Sequence, residues 1–218
     1  MSTDGDLHID FAREERLGFP EIIYGEHKSA DQLQRIVRQC VERRHNVLIS
    51  RCQAEKAAVL EGGEYDVVAS TWVKQLTPPR QLPGRVAVVS AGTSDAAVVS
   101  ECANTLGFLG IEALRIQDVG VAALHRLLSR LDEILGCDVV ICVAGFEGAL
   151  ASVLAGQCPQ PVIAIPASVG YGVAKDGYAA LHGMLASCAN GLMVMNIDNG
   201  VGAALAARRI LRLLPPRH

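Results

Sequence analysis

The amino-acid sequence predicts an α/β protein in which a small α/β domain precedes a doubly wound, parallel five-stranded sheet. The first of three observations behind this prediction is that runs rich in Val, Ile and Leu alternate five times with helical patterns after residue 84. Secondly, aromatic residues make up only 4% of the 218 residues while half of all residues are hydrophobic, so aliphatic side chains must form the core. Thirdly, a Pro-rich segment separates two parts of the chain. This combination is typical of parallel sheets that helices cover on both faces.

The Pro-rich segment at residues 77–84 divides the chain into two folding units. It contains three prolines and one glycine, a composition typical of linkers. The first unit is predicted to be a small α/β domain at residues 21–76, and the second a larger α/β domain at residues 85–214. Residues 1–20 are expected to be a flexible N-terminus, because terminal segments are loosely held unless packing fixes them.

The smaller domain alternates strand-like and helical segments. Strands are predicted at residues 21–24, 46–50 and 65–69, where short apolar runs occur. A helix is predicted to begin at Ser29, because Ser29 and Gln32 have the spacing of a capping box. Apolar residues then recur at helical spacing, which predicts one buried helical face.

Five strand–helix units follow the linker. The strands are predicted at residues 85–89, 112–116, 138–143, 161–165 and 192–196. The helices are predicted at residues 95–109, 121–135, 148–156, 175–186 and 203–214. Because crossovers between parallel strands are right-handed, this alternation predicts one parallel sheet with helices on both faces.

Glycines and small polar residues follow every predicted strand of the larger domain. These turns lie at residues 90–95, 117–120, 144–148, 166–172 and 196–200. In a parallel sheet the carboxyl ends of the strands meet at one edge, where a ligand can approach the glycine backbone closely. A single turn of this kind could merely cap a helix, but five along one edge predict a binding site for a polar ligand.

Composition and charge exclude several functional classes. The net charge of −3 gives no basic surface for nucleic acid or for an anionic membrane, so neither is an expected partner. No apolar run reaches the roughly 20 residues that a membrane-spanning helix needs. The seven cysteines include no CxxC pair, so a structural metal site is not expected. Their odd number, with no secretion-signal pattern at the start, indicates reduced thiols and a cytoplasmic protein.

The first turn of the larger domain resembles a known phosphate- and sugar-binding turn. Ser90-Ala-Gly-Thr-Ser-Asp95 is similar to the Gly-Ser-x-Ser-Asp turn of PurE-type aminoimidazole ribonucleotide (AIR) carboxylases, and the similarity extends over residues 84–214. The resemblance implies a flavodoxin-like, PurE-like fold. One departure concerns the chemistry, because the second strand is followed by Asp118-Val-Gly-Val-Ala122 where the PurE proteins have a turn with their catalytic histidine. Ordinary purine carboxylation is therefore not expected.

The full set of motifs resembles the LarB family of nickel-pincer nucleotide biosynthesis, whose C-terminal domain is PurE-like. The matching segments are Ser90-Ala-Gly-Thr-Ser-Asp95, Asp118-Val-Gly-Val-Ala122, Leu124-His-Arg126, Ala144-Gly-Phe-Glu-Gly-Ala-Leu150, Ser168-Val-Gly-Tyr-Gly172, Met184-Leu-Ala-Ser-Cys-Ala189 and Asn196-Ile-Asp-Asn-Gly200. The segments Phe19-Pro-Glu-Ile-Ile-Tyr-Gly-Glu26 and Glu55-Lys56 also fit, so the resemblance covers nearly the whole chain. A local departure is Ala151, where a proline is usual.

The resemblance implies carboxylation of the pyridinium ring of nicotinic acid adenine dinucleotide (NaAD) at C5, with hydrolysis of its phosphoanhydride. The products would be pyridinium-3,5-biscarboxylic acid mononucleotide and AMP. It implies CO2 or bicarbonate as co-substrate and no organic cofactor, and it leaves a role for Mg²⁺ open. It also implies a homo-oligomer, an octamer by comparison with PurE-like proteins. Two alternatives remain: a PurE-like carboxylase or mutase acting on aminoimidazole ribonucleotide, and a non-catalytic module that senses nucleotides.

Carried over to this sequence, the resemblance makes Cys188 the expected nucleophile. Glu147 and Asp95 are the candidates for proton removal and for handling water or a divalent ion, although both could simply complement a helix N-terminus. The residues expected to bind substrate are Ser90, Gly92, Thr93, Ser94, Arg115, Asp118, Gly145, Ser168, Tyr171, Asn196, Asp198 and Asn199. Because the preceding helix runs away from the ligand edge, Cys188 is expected at the opposite edge of its own sheet. A catalytic Cys188 would therefore act in a neighbouring subunit.

Overall fold

The structure is a computed structural model that describes residues 8–214. The chain divides between Arg80 and Gln81, inside the Pro-rich segment, into two compact units. Each unit has a hydrophobic core of its own. None of the helices in the described part of the chain is both long and apolar enough to cross a lipid bilayer.

The smaller unit is built on a mixed four-stranded sheet. Its elements are α1 (Arg13–Leu17), β1 (Ile23–Tyr24), α2 (Ala30–Glu42), β2 (Val47–Ser50), α3 (Ala54–Ala57), β3 (Glu64–Asp66) and β4 (Thr71–Lys74). The strand order is β1-β2-β4-β3, with β1 parallel to β2 and the other pairs antiparallel. Helix α2 begins at the predicted cap, where the Ser29 hydroxyl accepts from the Gln32 amide and the Gln32 side chain accepts from the Ser29 amide. The buried face of α2 shares one core with Trp72.

The single strand predicted at residues 65–69 is wrong, because the structure has a hairpin there. Strand β3 ends at Asp66, whose Oδ1 accepts hydrogen bonds from the amides of Val68 and Ala69 at 2.9 and 3.0 Å. This side-chain turn reverses the chain, and β4 then pairs with both β2 and β3. Val67 is a β-branched residue of the kind that favours strands, but it lies in the turn and is 72% exposed. Its presence therefore led to the wrong strand prediction.

The N-terminal segment has local structure in its described part. Residues 8–20, which belong to the segment expected to be flexible, contain helix α1 and the buried side chain of Phe19. The Arg16 and Arg13 guanidinium groups donate to the Asp10 carboxylate and lower the pKa of Asp10 to about 2. Residues 1–7 of that predicted segment lie outside the described residues.

The larger unit is a parallel α/β sheet. Its elements are β5 (Arg85–Ser90), α4 (Ala96–Phe108), β6 (Glu112–Ile116), α5 (Leu124–Ser129), α6 (Leu131–Leu135), β7 (Val139–Ala144), α7 (Ala149–Gln157), β8 (Val162–Pro166), α8 (Tyr178–Leu185), β9 (Met193–Val194) and α9 (Gly200–Leu211). All five strands are parallel in the order β6-β5-β7-β8-β9. Helices α4 and α9 contact each other and cover one face, while side chains from α5 to α8 pack with Ala87 and Val89 on the other. The predicted doubly wound fold is confirmed.

Three predicted helices differ from the structure in their bounds. The helix predicted at residues 203–214 is α9, which begins three residues earlier, at Gly200, and ends at Leu211. The helix predicted at residues 121–135 is a short 3-10 turn followed by α5 and α6, which are interrupted at Arg130 with φ −111°. Ser129 Oγ donates to the Arg126 carbonyl at 2.8 Å, a local bond that competes with regular helix. The helix predicted from residue 175 begins only at Tyr178, because Asp176 and Gly177 have φ of 64° and 77°.

Candidate active site

A cavity of about 280 Å³ opens at the carboxyl edge of the larger sheet. Its walls come from the turns that follow β5, β6, β7 and β8. The chain crosses from β5 to β6 on one side and then to β7 on the other, and such a switch point is where doubly wound proteins bind ligands. Five of the residues predicted from the sequence line the cavity: Gly92, Ser94, Asp95, Gly145 and Glu147.

The turn after β5 places a buried carboxylate in the cavity wall. Ser90 is fully buried, and its hydroxyl donates to the Gly92 carbonyl at 3.3 Å. The Gly92 amide in turn donates to Asp95 Oδ2 at 2.8 Å. These bonds fold the turn back on itself, with Thr93 and Ser94 exposed at its tip. Asp95 is thereby fixed at the start of α4 with only 3% of its surface exposed.

The surroundings of Asp95 raise the pKa of its carboxyl group above the ordinary value. Burial raises the pKa of Asp95, and the nearby carboxylate of Asp198 raises it further. Hydrogen bonds from the Gly92 and Ala91 amides act in the opposite direction but do not cancel the effect of burial. A carboxyl group with a raised pKa in a cavity is a suitable proton acceptor for catalysis.

The turn after β7 supplies a second carboxylate and an aromatic ring. Glu147 is exposed and lines the cavity beside Phe146, whose φ of 52° is uncommon for a residue other than glycine. The Phe146 ring contacts the Tyr171 ring edge to face, with 5.5 Å between centroids. These rings are 44% and 78% exposed, so a ligand can reach them. A Cβ on Gly145 would lie 2.3 Å from the Val169 carbonyl oxygen, so only glycine permits this contact between the turns after β7 and β8.

The turn after β6 holds an ion pair that the sequence analysis did not assign. Arg126 Nη1 donates to the Asp118 carbonyl at 3.2 Å and contacts Asp118 Oδ2 at 2.5 Å. Asp118 has a φ of 60° and stands two residues before Gly120, which lines the cavity. Arg126 belongs to the segment Leu124-His-Arg126, which is one of the segments that match the family.

The polar residues after β9 bind backbone rather than line the cavity. Asp198 Oδ1 accepts from the Ser168 amide at 2.8 Å, and Asn199 Oδ1 accepts from the Gly202 amide at 2.7 Å to cap α9. Asn196 Oδ1 accepts from the amide of the next residue. The buried carboxylate of Glu101 accepts from the Gly200 amide at 3.1 Å. These side chains fix the turns after β8 and β9, and Asp198 also acts on the charge of Asp95.

Two other predicted residues lie away from the cavity. Arg115 Nη2 donates to Asn104 Oδ1 at 3.1 Å, so this guanidinium lies against α4. Cys188 follows α8 and precedes β9, at the amino edge of the sheet. The five residues of β8 span about 16 Å at the usual rise of a strand, and the cavity lies beyond their carboxyl end. Within one chain, the Cys188 thiol and the cavity are on opposite edges of the sheet, as predicted from the direction of the preceding helix.

Cys188 differs from the other cysteines in its accessibility. All seven cysteines are among the described residues, and Cys188 alone is exposed. Burial raises the pKa of Cys40 to about 11 and also raises the pKa of Cys142, which lies in β7. A thiolate is the reactive form of cysteine, and burial of this kind disfavours it. Cys188 is therefore the thiol best able to meet a substrate.

The cavity offers few protein ligands for a metal ion. No group of three or more His, Cys, Asp or Glu side chains that could hold a metal occurs between residues 8 and 214. One oxygen of Asp95 already accepts the Gly92 amide, which leaves its other oxygen and Glu147 as donors. Mg²⁺ commonly binds through one or two carboxylates together with substrate phosphates. The residues present fit that arrangement but not a metal held by protein alone.

Comparison with known proteins identifies both units. Residues 2–74 match the LarB/PurE-like N-terminal domain, and residues 85–217 match the AIR carboxylase family. An uncharacterized protein of Methanocaldococcus jannaschii is 34% identical over 220 residues, which cover 95% of this chain and 85% of that protein.

Solved structures of PurE proteins resemble the larger unit. Treponema denticola PurE is 24% identical with a TM-score of 0.50, and the match covers 60% of this chain and 81% of that one. A PurE2 variant of the same organism is 27% identical with a TM-score of 0.49, covering 60% of this chain and 80% of that one. The PurE match supports the fold of the sheet domain. The family matches show that this chain belongs to the AIR carboxylase family, as a LarB-like member in which a LarB/PurE-like N-terminal domain precedes the PurE-like domain.

Proposed function

We propose that the protein carboxylates the pyridinium ring of NaAD at C5 and hydrolyses its phosphoanhydride. One CO2 and one water are consumed, and pyridinium-3,5-biscarboxylic acid mononucleotide and AMP are formed, with protons released to solvent. The observation that carries the proposal is the make-up of the cavity. Its titratable lining residues, within the described part of the chain, are the carboxylates Asp95 and Glu147, with no histidine among them. The AIR carboxylase fold is thus combined with a cavity suited to a cationic substrate.

The aromatic pair supports binding of the ring. A pyridinium cation is attracted to the faces of aromatic side chains. Phe146 lines the cavity, and its exposed ring contacts the exposed ring of Tyr171. The two carboxylates add a negative potential in the same place. A neutral imidazole ring, as in aminoimidazole ribonucleotide, would gain less from this environment.

The pyridinium ring must be made nucleophilic before it can attack CO2. Addition of the Cys188 thiolate to the ring carbon next to C5 forms a C–S bond and converts the cation into a neutral enamine. C5 of the enamine then attacks CO2. A base removes the C5 proton, the C–S bond breaks, and the electron pair restores the aromatic cation while the thiolate leaves.

Asp95 and Glu147 each accept a proton in one of the two remaining steps. Asp95 is the better base for the C5 proton, because burial raises the pKa of this carboxyl group. Glu147, which is exposed, is placed to activate the water that attacks the phosphoanhydride. Mg²⁺, where it takes part, would neutralise phosphoanhydride charge while Asp95 and Glu147 supply its protein oxygens. No organic cofactor enters this scheme.

The position of Cys188 makes the proposed site intermolecular. Since the thiol and the cavity lie on opposite edges of one sheet, the nucleophile of each site comes from a neighbouring copy of the chain. The exposure of Cys188 in the single chain supports this assignment. The active protein is accordingly a homo-oligomer, and NaAD is its substrate.

A direct assay tests the proposal against its nearest rival. The purified protein is incubated with bicarbonate, Mg²⁺ and either NaAD or aminoimidazole ribonucleotide, and the small molecules are identified by mass spectrometry. We expect AMP and a mononucleotide one carboxylate heavier than nicotinic acid mononucleotide from NaAD alone. Turnover of aminoimidazole ribonucleotide alone would establish the purine carboxylase or mutase instead. Binding of NaAD without any product would indicate a nucleotide sensor.

A further inference from the structure

A second cavity, of about 270 Å³, opens on the surface of the smaller unit. It lies between helix α2, strand β4 and the loop at residues 58–63, which joins α3 to β3. Within the described part of the chain, its lining shares no residue with the cavity of the candidate active site. Pockets for drug-sized ligands occupy roughly 300 to 1,000 Å³, so this cavity suits a smaller molecule of one or two rings.

Side-chain hydrogen bonds fix the loop on both sides of Leu60. Gln34 Nε2 in α2 donates to the Val59 carbonyl at 2.9 Å. Lys74 Nζ in β4 donates to the Glu61 carbonyl, also at 2.9 Å. Because the loop is tied to both the helix and the strand, the space between them is a defined part of the fold, as in most ligand pockets.

Two glycines allow the loop to approach β4 closely. A Cβ on Gly63 would lie 2.3 Å from a ring carbon of Trp72, and a Cβ on Gly62 would lie 2.7 Å from Lys74 Nζ. Gly62 also has a φ of 68°, which favours glycine. The sequence therefore specifies the path of the loop that closes one side of the cavity.

The lining combines an apolar part with a mainly cationic one. Its apolar residues are Val37, Val41, Val59 and Leu60. Its charged residues, among those that the structure describes, are Arg38, Glu61 and Lys74. Val37 and Leu60 are only 7% and 9% exposed, whereas Arg38 and Glu61 are exposed. A ligand can thus place an apolar body against the core and a charged group towards solvent.

Arg38 has no protein partner between residues 8 and 214, neither a hydrogen bond nor an ion pair. Two other arginines of this region do have partners, since Arg35 forms an ion pair with Asp31 and Arg43 lies over the Phe11 ring. Arg38 therefore keeps its planar fork of donors for a ligand. This fork matches the two oxygens of a carboxylate or phosphate group.

We propose that this cavity binds a small carboxylic acid, with its carboxylate on Arg38 and its apolar part on Val37 and Leu60. Lys74 adds a second positive charge, since its bond to the loop uses one of three ammonium protons. With Glu61, two positive charges and one negative charge leave a net charge of +1. A carboxylate matches this charge better than a phosphate monoester, which carries about −1.5 to −2 at pH 7. The inference does not depend on the proposed function, because the site belongs to the other unit.

Titration calorimetry on the full chain with two probes tests the assignment. The probes are 2-naphthoate and 2-naphthamide, which share one ring system and differ in charge. We expect 2-naphthoate to bind about tenfold or more tightly than 2-naphthamide. Arg38→Gln should remove this difference by weakening 2-naphthoate alone, and Arg38→Lys should be intermediate, since it keeps the charge but not the fork. Arg38→Gln should also melt like wild type, because no protein contact is lost.

Arg44→Gln is the matched control. Arg44 is also exposed and follows α2, but it is outside the cavity lining, so its loss should change neither affinity. Val59→Phe tests the apolar part of the site. Val59 is 44% exposed, so a larger ring is tolerated there and should weaken both probes by narrowing the cavity. Equal binding of the two probes by wild type, equal weakening by Arg38→Gln and Arg44→Gln, or no binding of 2-naphthoate at millimolar concentration would overturn the assignment.

Discussion

At the scale of single residues, the Asp95 carboxylate lowers the stability of the fold at neutral pH and is also the proposed catalytic base. Burial raises the pKa of this carboxyl group above its ordinary value near 3.8, so the folded protein binds the proton more tightly than the unfolded chain does. Asp95 therefore favours folding below its unfolded pKa, and this contribution is lost as the pH rises through the folded pKa. Buried titratable groups at active sites commonly lower stability in this way.

Asp95→Asn should separate the two roles. Asn removes the charge but keeps an oxygen that can accept the Gly92 amide, so we expect a higher melting temperature than wild type at pH 7. The difference should shrink as the pH is lowered towards 4, and carboxylation should be lost at every pH. Melting curves across this pH range provide the measurement. A variant that is less stable than wild type at pH 7 would contradict our account of the Asp95 environment.

Cys188 should be the first thiol to react with a small alkylating agent. The other six cysteines are buried, and burial raises the pKa of several of them. Brief exposure to iodoacetamide should modify Cys188 and lower the rate of carboxylation about 10³-fold or more. Peptide mass spectrometry identifies the modified cysteine. Cys188→Ala should resist this modification and be equally inactive while melting like wild type. Substantial activity in Cys188→Ala would remove the thiol from the mechanism.

At the scale of elements, two glycines of the cavity serve different purposes. A Cβ on Gly145 would lie 2.3 Å from the Val169 carbonyl oxygen, whereas the nearest atoms to a Cβ on Gly92 are 4.0 Å away. Gly92 also has a φ of −140°, which alanine can adopt. Gly145 is thus required for packing between turns, and Gly92 leaves room beside Asp95.

The two alanine variants form a matched pair. Gly145→Ala should destabilise the protein by about 1–3 kcal/mol, because backbone of the turn after β8 must move. Gly92→Ala should change stability by less than about 0.5 kcal/mol and yet weaken nucleotide binding, since its methyl group occupies ligand space. Melting temperatures and nucleotide titrations of both variants provide the test. Equal destabilisation by the two changes would contradict the distinction between them.

The sequence predicts elements well where hydrophobic periodicity is strong and poorly where side chains redirect the backbone. The five parallel strands and the Ser29 cap are as predicted. The hairpin at residues 64–74 was missed because the Asp66 turn contains two valines. The late start of α8 depends on Asp176, a residue other than glycine with positive φ, which no periodic pattern indicates.

At the scale of the whole molecule, the proposed site requires two copies of the chain. An inactive Asp95→Asn chain still has Cys188, and an inactive Cys188→Ala chain still has an intact cavity. When the two variants are mixed and allowed to exchange subunits, roughly a quarter of the sites should combine an intact cavity with an intact thiol. We expect carboxylation to return towards that fraction of the wild-type rate. If activity does not return after exchange is demonstrated with labelled chains, Cys188 does not act between subunits.

The sequence predicts the location of the candidate site better than it predicts the side-chain contacts there. The turns that surround the cavity follow directly from the alternation of strands and helices, and five predicted residues line it. The sequence could not show that Asp198 and Asn199 bind backbone, because the same polar residues suit a cap or a ribose. The Asp118–Arg126 ion pair was not predicted, because the two residues lie eight positions apart in the chain.

Incorporation of carbon-13 bicarbonate tests the central claim most directly. The wild-type protein is incubated with NaAD and the labelled bicarbonate, and the product is analysed by mass spectrometry and carbon NMR. We predict one labelled carboxylate on C5 of the pyridinium ring, AMP in equal amount, and no label in the Cys188→Ala reaction. Unlabelled NaAD at the end of the reaction, with label entering aminoimidazole ribonucleotide in a parallel sample, would contradict the account.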